Sequence, residues 1–178
     1  MSFESFRESI GDFARDVRVN LSSVLSEEGA PGLSTAQVWG VALSCAYATK
    51  DKALFSAVEE IALNPESPKI SQIELAACKT AASLMAMNNV YYRFSHLLED
   101  SEFSSMPARL RMQGIANHGV DKILFEMMCL AVSAMSGCGM CIKSHVAQLK
   151  KAGVSNEAIQ SSVRIASVVN SASTAASI

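Results

Sequence analysis

Cys138-Gly139-Met140-Cys141 and His145 are the residues of this chain best suited to chemistry. Thiols three residues apart at a helix start share one face, close enough to form a disulfide. The free N–H groups of the first turn and the positive end of the helix dipole stabilise a thiolate there. Gly137 and Gly139 keep the backbone around Cys138 uncluttered. His145 follows Cys141 by four residues, one turn along the same face, where an imidazole can exchange the thiol proton near neutral pH. Two tendencies compete: helix electrostatics favour Cys138 as the more acidic thiol, and His145 favours proton exchange at Cys141. With a carboxylate, the same groups are also zinc ligand types. Structural zinc sites, however, usually place Cys pairs on knuckles and loops, and the chain has no second Cys-x-x-Cys. A thioredoxin-like site would belong on a βαβ unit, and no strand pattern is present.

The carboxylate is Glu126. On one continuous helix it would lie ~18 Å from Cys138, out of reach. An antiparallel return at Ser136-Gly137 changes that. Glu126 is then ~16 Å back from the turn and His145 ~12 Å beyond it, at similar depth. A carboxylate meeting His145 there, directly or through water, would be a proton relay into the thiol pair.

Helices must position these groups. Alanine appears 25 times, β-branched alternation is scarce, and no Asn-Gly or Asp-Gly hairpin turn occurs. Ser34-Thr35-Ala36-Gln37 is a capping box opening a helix through Trp39, Leu43 and Ala46. Ser71-Gln72-Ile73-Glu74 opens a long helix to about Leu98. Pro65 and Pro68 stop the preceding helix near Leu63. Asp121 is a plausible N-cap for a helix to about Met135. A tight break at Ser136-Gly137 precedes a helix from Cys138 to Lys151, and Gly153 fits the position after its C-terminus. Ser155 caps a last helix to about Val169, and the small polar tail 170–178 is expected to fray. A faint repeat aligns Ala42-Leu43-Ser44 with Ala131-Val132-Ser133, setting Gln37 against Glu126 and Thr49, Lys52 and Ser56 against Cys138, Cys141 and His145. In that register only the second half carries chemistry.

The remaining residues set limits. With 178 residues, 49% hydrophobic and 18% charged, the chain is neither disordered nor a disulfide-stapled mini-protein, and one domain over 1–178 is expected. A net charge of -2 offers no basic field for nucleic acid or an anionic membrane. The N-terminus lacks a secretory pattern, and no apolar run approaches the ~20 residues that span a bilayer. A cytoplasmic location is therefore expected, where five thiols do not make a structural disulfide framework. Cys45, Cys78 and Cys129 lie in Ala/Leu-rich helical runs and read as buried small hydrophobes. His96 reads as a helix-end surface residue, and His118 as a loop residue that could line the site entrance. The nine Met residues read mostly as core filler, a few near the cysteines lining an apolar channel. Trp39 reads as core or subunit interface. Tyr92 and Arg93 receive no physical role.

The pattern Glu126 … Cys138-Gly-Met-Cys141 … His145 resembles the signature of the AhpD-type alkylhydroperoxidases, in the carboxymuconolactone decarboxylase-like superfamily. The resemblance takes in Met87-Asn88-Asn89-Val90-Tyr91-Tyr92-Arg93-Phe94, Arg111-Met112, Gly119-Val120-Asp121-Lys122, Phe125-Glu126 and Ala131-Val132-Ser133-Ala134. It is clearest from Met87 to Gly153. It implies an all-α fold with an internal pseudo-repeat of a helical hairpin unit, the catalytic hairpin spanning about 121–151, and a homotrimer. It implies reduction of alkyl hydroperoxides by the Cys-x-x-Cys pair, electron transfer to the peroxiredoxin AhpC, and no bound cofactor. The disulfide so formed is re-reduced by a dihydrolipoyl group on a 2-oxo acid dehydrogenase acyltransferase. Residue by residue, it assigns the sulfenic acid to Cys141, the resolving and proton-donating thiol to Cys138, and the relay to Glu126 and His145. Some members carry His immediately before the second Cys; this chain has Met140. Decarboxylase-like relatives generally lack the Cys pair. A general disulfide oxidoreductase of the same superfamily and a non-catalytic zinc or scaffold module are the alternatives.

Overall fold

The computed structural model describes residues 1–98 and 100–178. Ten α-helices and no strands occur among them. Helices α1 (Phe3–Ser9) and α2 (Arg15–Ser23), joined by a 3-10 turn, lead into α3 (Thr35–Thr49) and α4 (Lys52–Ala62). The long α5 (Gln72–Leu98) is followed by the short α6 (Ser101–Ser105) and α7 (Gln113–Ala116). Then come α8 (Lys122–Ser136), α9 (Gly139–Lys151) and α10 (Asn156–Ala176).

The caps form as local chemistry dictates. The Ser34 hydroxyl and the Gln37 side chain exchange hydrogen bonds with each other's backbone N–H at the start of α3. Ser71 and Glu74 do the same before α5. Asp121 Oδ1 accepts from the Leu124 N–H, 3.0 Å away, opening α8. After Ala62, where α4 ends, the chain turns through the two prolines. Gly153 has φ +81° and closes α9.

Helix α3 is the hub, packed against α4, α5, α8 and α10. Its crossing with α8 is close because Gly40 has no side chain. A Cβ there would meet Met128 Cε at 2.7 Å. Leu43, Leu54, Met128, Leu130 and Ile165 fill the core between these helices and are fully buried. The buried Trp39 takes the Phe3 ring edge-on, centroids 6.5 Å apart, on the core side of α3.

Two expectations change. The tail from Asn170 continues α10 to Ala176 instead of fraying. Val169, Ala172 and Ala175 are buried on a face that packs against α2, α3 and α8, and alanine's helix propensity does the rest. The repeat also has a different register. Helices α3 and α8 are both 15 residues long, and each ends on a left-handed residue, Lys50 or Gly137. The next residue caps the following helix, so Asp51 corresponds to Cys138 and Leu54 to Cys141, in place of Thr49 and Lys52.

Candidate active site

Gly137 sets the turn. Its φ of +67° lets the Cys138 and Gly137 N–H groups bond back to Ser133 and Ala134 carbonyls, which ends α8 and reverses the chain. Arg93, without a role in the sequence, braces this turn from α5: its guanidinium donates to the Ser136 carbonyl at 2.6 Å.

Cys138 is the N-cap of α9 rather than a residue of its first turn. Its sulfur stands where a Ser or Asp oxygen would cap, accepting the Cys141 N–H at 3.3 Å. The two cysteines are joined as a disulfide with Cα atoms 5.3 Å apart. They differ in access. Cys138 is 0% exposed, whereas Cys141 is 7% exposed and lines a cleft of about 780 Å³ between α5, α7, α8 and α9.

The hairpin return brings Glu126 and His145 together. Glu126 Oε2 is 2.7 Å from His145 Nδ1, and each side chain is 14% exposed. Both line the cleft with Cys141. Glu126 is therefore a largely buried carboxylate held on an imidazole, one turn of α9 from the accessible sulfur.

His118 stands at the same cleft, its ring stacked flat on Phe125 at 4.2 Å between centroids. Met85, Met112 and Met140 contribute apolar wall, while Met127 and Met128 belong to the core. Met140 is 39% exposed and presents a thioether to the cleft just before Cys141. His96 is not simply a surface residue at a helix end. It is half-buried, and its Nε2 lies 3.7 Å from where a Gly139 Cβ would be.

The three other cysteines are buried in the core with free thiols. Burial pushes the Cys78 thiol up to about 12, and it raises those of Cys45 and Cys129 well above the ordinary range. Cys78 donates its thiol proton to the Gly40 carbonyl at 3.4 Å. Among the described residues, no three His, Cys, Asp or Glu side chains converge as a metal-binding set.

Asn88 and Tyr92 on α5 also line the cleft, and motif spacing in the Cys segment gave no sign of them. Their signal was a polar Asn at helical spacing from Met85 and Tyr92, on one stripe of a mostly apolar helix. The Tyr92 hydroxyl donates toward Met112 Sδ at 3.9 Å, tying α5 to the segment before α7.

Comparison with known proteins places this arrangement. Over 98% of its length the chain is 50% identical to the alkyl hydroperoxide reductase AhpD of Bradyrhizobium sp. strain BTAi1, covering 93% of that protein. The chain belongs to the AhpD family. It is also 47% identical, over 94% of its length, to the AhpD of Coxiella burnetii strain Dugway 5J108-111, and covers 92% of it. With the AhpD of Rhodopseudomonas palustris strain BisB18 it shares 48% identity over 96% of its length, covering 91% of that relative. Residues 101–177 match the carboxymuconolactone decarboxylase family. The matched region holds the hairpin α8–α9 whole, whereas the α5 wall of the cleft, with Met85, Asn88 and Tyr92, lies outside it. In this AhpD-family chain the cleft thus combines α5 and the segment around α7 with the α8–α9 hairpin that carries Cys141.

Proposed function

We propose that this AhpD-family chain is a thiol-dependent alkyl hydroperoxide reductase working through a Cys138/Cys141 dithiol–disulfide cycle. The observation that carries the reading is the unequal placement of the two sulfurs. Cys141 opens on the cleft beside the Glu126–His145 pair, while Cys138 is buried against it at the helix cap.

The cycle starts from the dithiol. The Cys141 thiolate attacks the O–O bond, and the Glu126–His145 pair supplies the proton to the departing alkoxide. The sulfenic acid on Cys141 condenses with the Cys138 thiol, releasing water and forming the disulfide. An incoming thiolate then attacks the sulfur it can reach, that of Cys141. Cys138 leaves as a thiolate held by the N-terminal amides of α9. A dihydrolipoyl dithiol, carried on a 2-oxo acid dehydrogenase acyltransferase, is the proposed reductant, and the Cys138/Cys141 dithiol it restores can instead reduce the disulfide of the peroxiredoxin AhpC. His118 takes the place of an entrance residue. No bound cofactor enters these steps.

The setting follows from the same reading: a cytoplasmic homotrimer. Among the described residues no helix is long and apolar enough to cross a membrane. Exposed Val90, Phe94, Leu97 and Phe103 around the end of α5 support association with further copies. Light scattering is expected to give three times the chain mass; a monomer would contradict the trimer.

Counting free thiols before and after tert-butyl hydroperoxide, with metal analysis alongside, tests the function. Reversible loss of two thiols, restored by dihydrolipoamide, is expected. Stoichiometric zinc with inert thiols would instead favour a zinc module.

A further inference from the structure

The α5 wall of the cleft carries a polar group that none of the proposed steps uses. Asn88 is 4% exposed and lines the same cleft as Cys141, Glu126 and His145. Its Oδ1 is buried and has no hydrogen-bond partner. The adjacent Asn89 turns to α8, where its Oδ1 accepts from the Ser133 hydroxyl at 3.0 Å while its buried Nδ2 has no partner. Met85 and Tyr92 flank Asn88 along the helix stripe that walls the cleft. A buried acceptor without a partner is costly and is retained where a donor arrives from outside the protein.

We propose that Asn88 is the substrate-orienting residue, its Oδ1 accepting the hydrogen bond of the hydroperoxide O–H. The inference rests on the proposed peroxide reduction and adds the basis for choosing between the two peroxide oxygens. A hydroperoxide R–O–O–H has one donor, on its terminal oxygen. Anchoring that hydrogen at Asn88 turns the terminal oxygen toward Cys141 and the R–O oxygen toward the Glu126–His145 pair. The Cys141 thiolate then gives its electron pair to the terminal oxygen, forming an S–O bond as the O–O bond breaks. The hydrogen stays on the transferred oxygen, giving Cys141–S–OH. The R–O oxygen leaves with the O–O electron pair and takes a proton from the relay as R–OH. Sulfur is oxidised by two electrons and the peroxide is reduced by two. A disulfide substrate has no such donor, so Asn88 acts in the peroxide half of the cycle and not in the thiol-exchange half.

Asn88→Leu keeps the number and branching of the side-chain atoms and removes both polar ones; Asn88→Ala is the smaller alternative. The kcat/KM for tert-butyl hydroperoxide and the rate at which dithiothreitol reduces the Cys138–Cys141 disulfide are measured for each variant and for the unaltered protein. The peroxide value is expected to fall roughly 10- to 100-fold, with disulfide reduction within about twofold. If Asn88→Leu does not fold, Asn88→Ala decides by the same comparison. An unchanged peroxide value, or parallel loss in both half-reactions, would overturn the role of Asn88. If the unaltered protein consumes no hydroperoxide while its disulfide still cycles with dithiothreitol, the peroxide reading itself fails and this role falls with it.

Discussion

At the residue scale, identical side chains differ through their surroundings. The five cysteines divide by environment: Cys45, Cys78 and Cys129 are walled into the core, and Cys138 and Cys141 share a helix cap at the edge of a cleft. Raised thiol values mean that the three core cysteines carry no thiolate at neutral pH. Native reduced protein is therefore expected to leave them unlabelled by iodoacetamide, as peptide mapping will show. The sign of their effect on stability follows. An unfolded thiol ionises near the ordinary 9.0, and the folded one does not. Below that pH the three contribute a constant term. Above it the unfolded chain loses protons that the native one keeps, so stability declines, by on the order of 1 kcal/mol per pH unit for each thiol. Denaturant titrations at pH 8 and pH 10 check this. Glu126 is paired with His145 inside the cleft, so Glu126→Gln is expected to lower peroxide turnover roughly 10- to 100-fold without shifting the melting temperature. Unchanged turnover would remove it from the relay.

At the element scale, the site depends on one reversal of the chain. Gly137 has the left-handed φ of +67° with open space around its missing Cβ, so Gly137→Ala costs backbone strain alone, on the order of 1 kcal/mol. Its larger effect is expected on disulfide cycling, because the turn sets Glu126 against His145. Much of this was legible in the sequence. Ser34, Ser71, Asp121 and Ser155 announced their helices because capping is a local bargain between a side chain and the nearest N–H groups. The hairpin depth that pairs Glu126 with His145 followed from helix rise alone. Less local matters were not legible. The α5 wall contributes Asn88, and Arg93 braces Ser136 across 43 residues of chain. No spacing rule within the Cys segment reaches that far. The end of α10 misled for the same reason: its small residues look frayed until the α2–α3 surface that buries them is known. Deleting residues 171–178 exposes that face and is expected to lower the melting temperature by about 3–6 °C.

At the scale of the whole molecule, the pseudo-repeat joins two like hairpins with unlike contents. Asp51 caps α4 where Cys138 caps α9, so the first hairpin keeps the helix-capping function and has none of the redox chemistry. Helix α3 packs against both the second hairpin and α5, and the core is continuous from α1 to α10. Residues 1–178 are accordingly expected to unfold in one calorimetric transition; two resolved transitions would separate the halves. What the molecule as a whole accomplishes is to set Cys141 in the wall of the cleft and hide Cys138 behind it. The most direct measurement is mass spectrometry of Cys138→Ser and Cys141→Ser after a short exposure to tert-butyl hydroperoxide. A sulfenic acid on Cys141 in the first variant, with none on Cys138 in the second, is the predicted result. Oxidation of Cys138 in the second variant, with Cys141 untouched in the first, would contradict it.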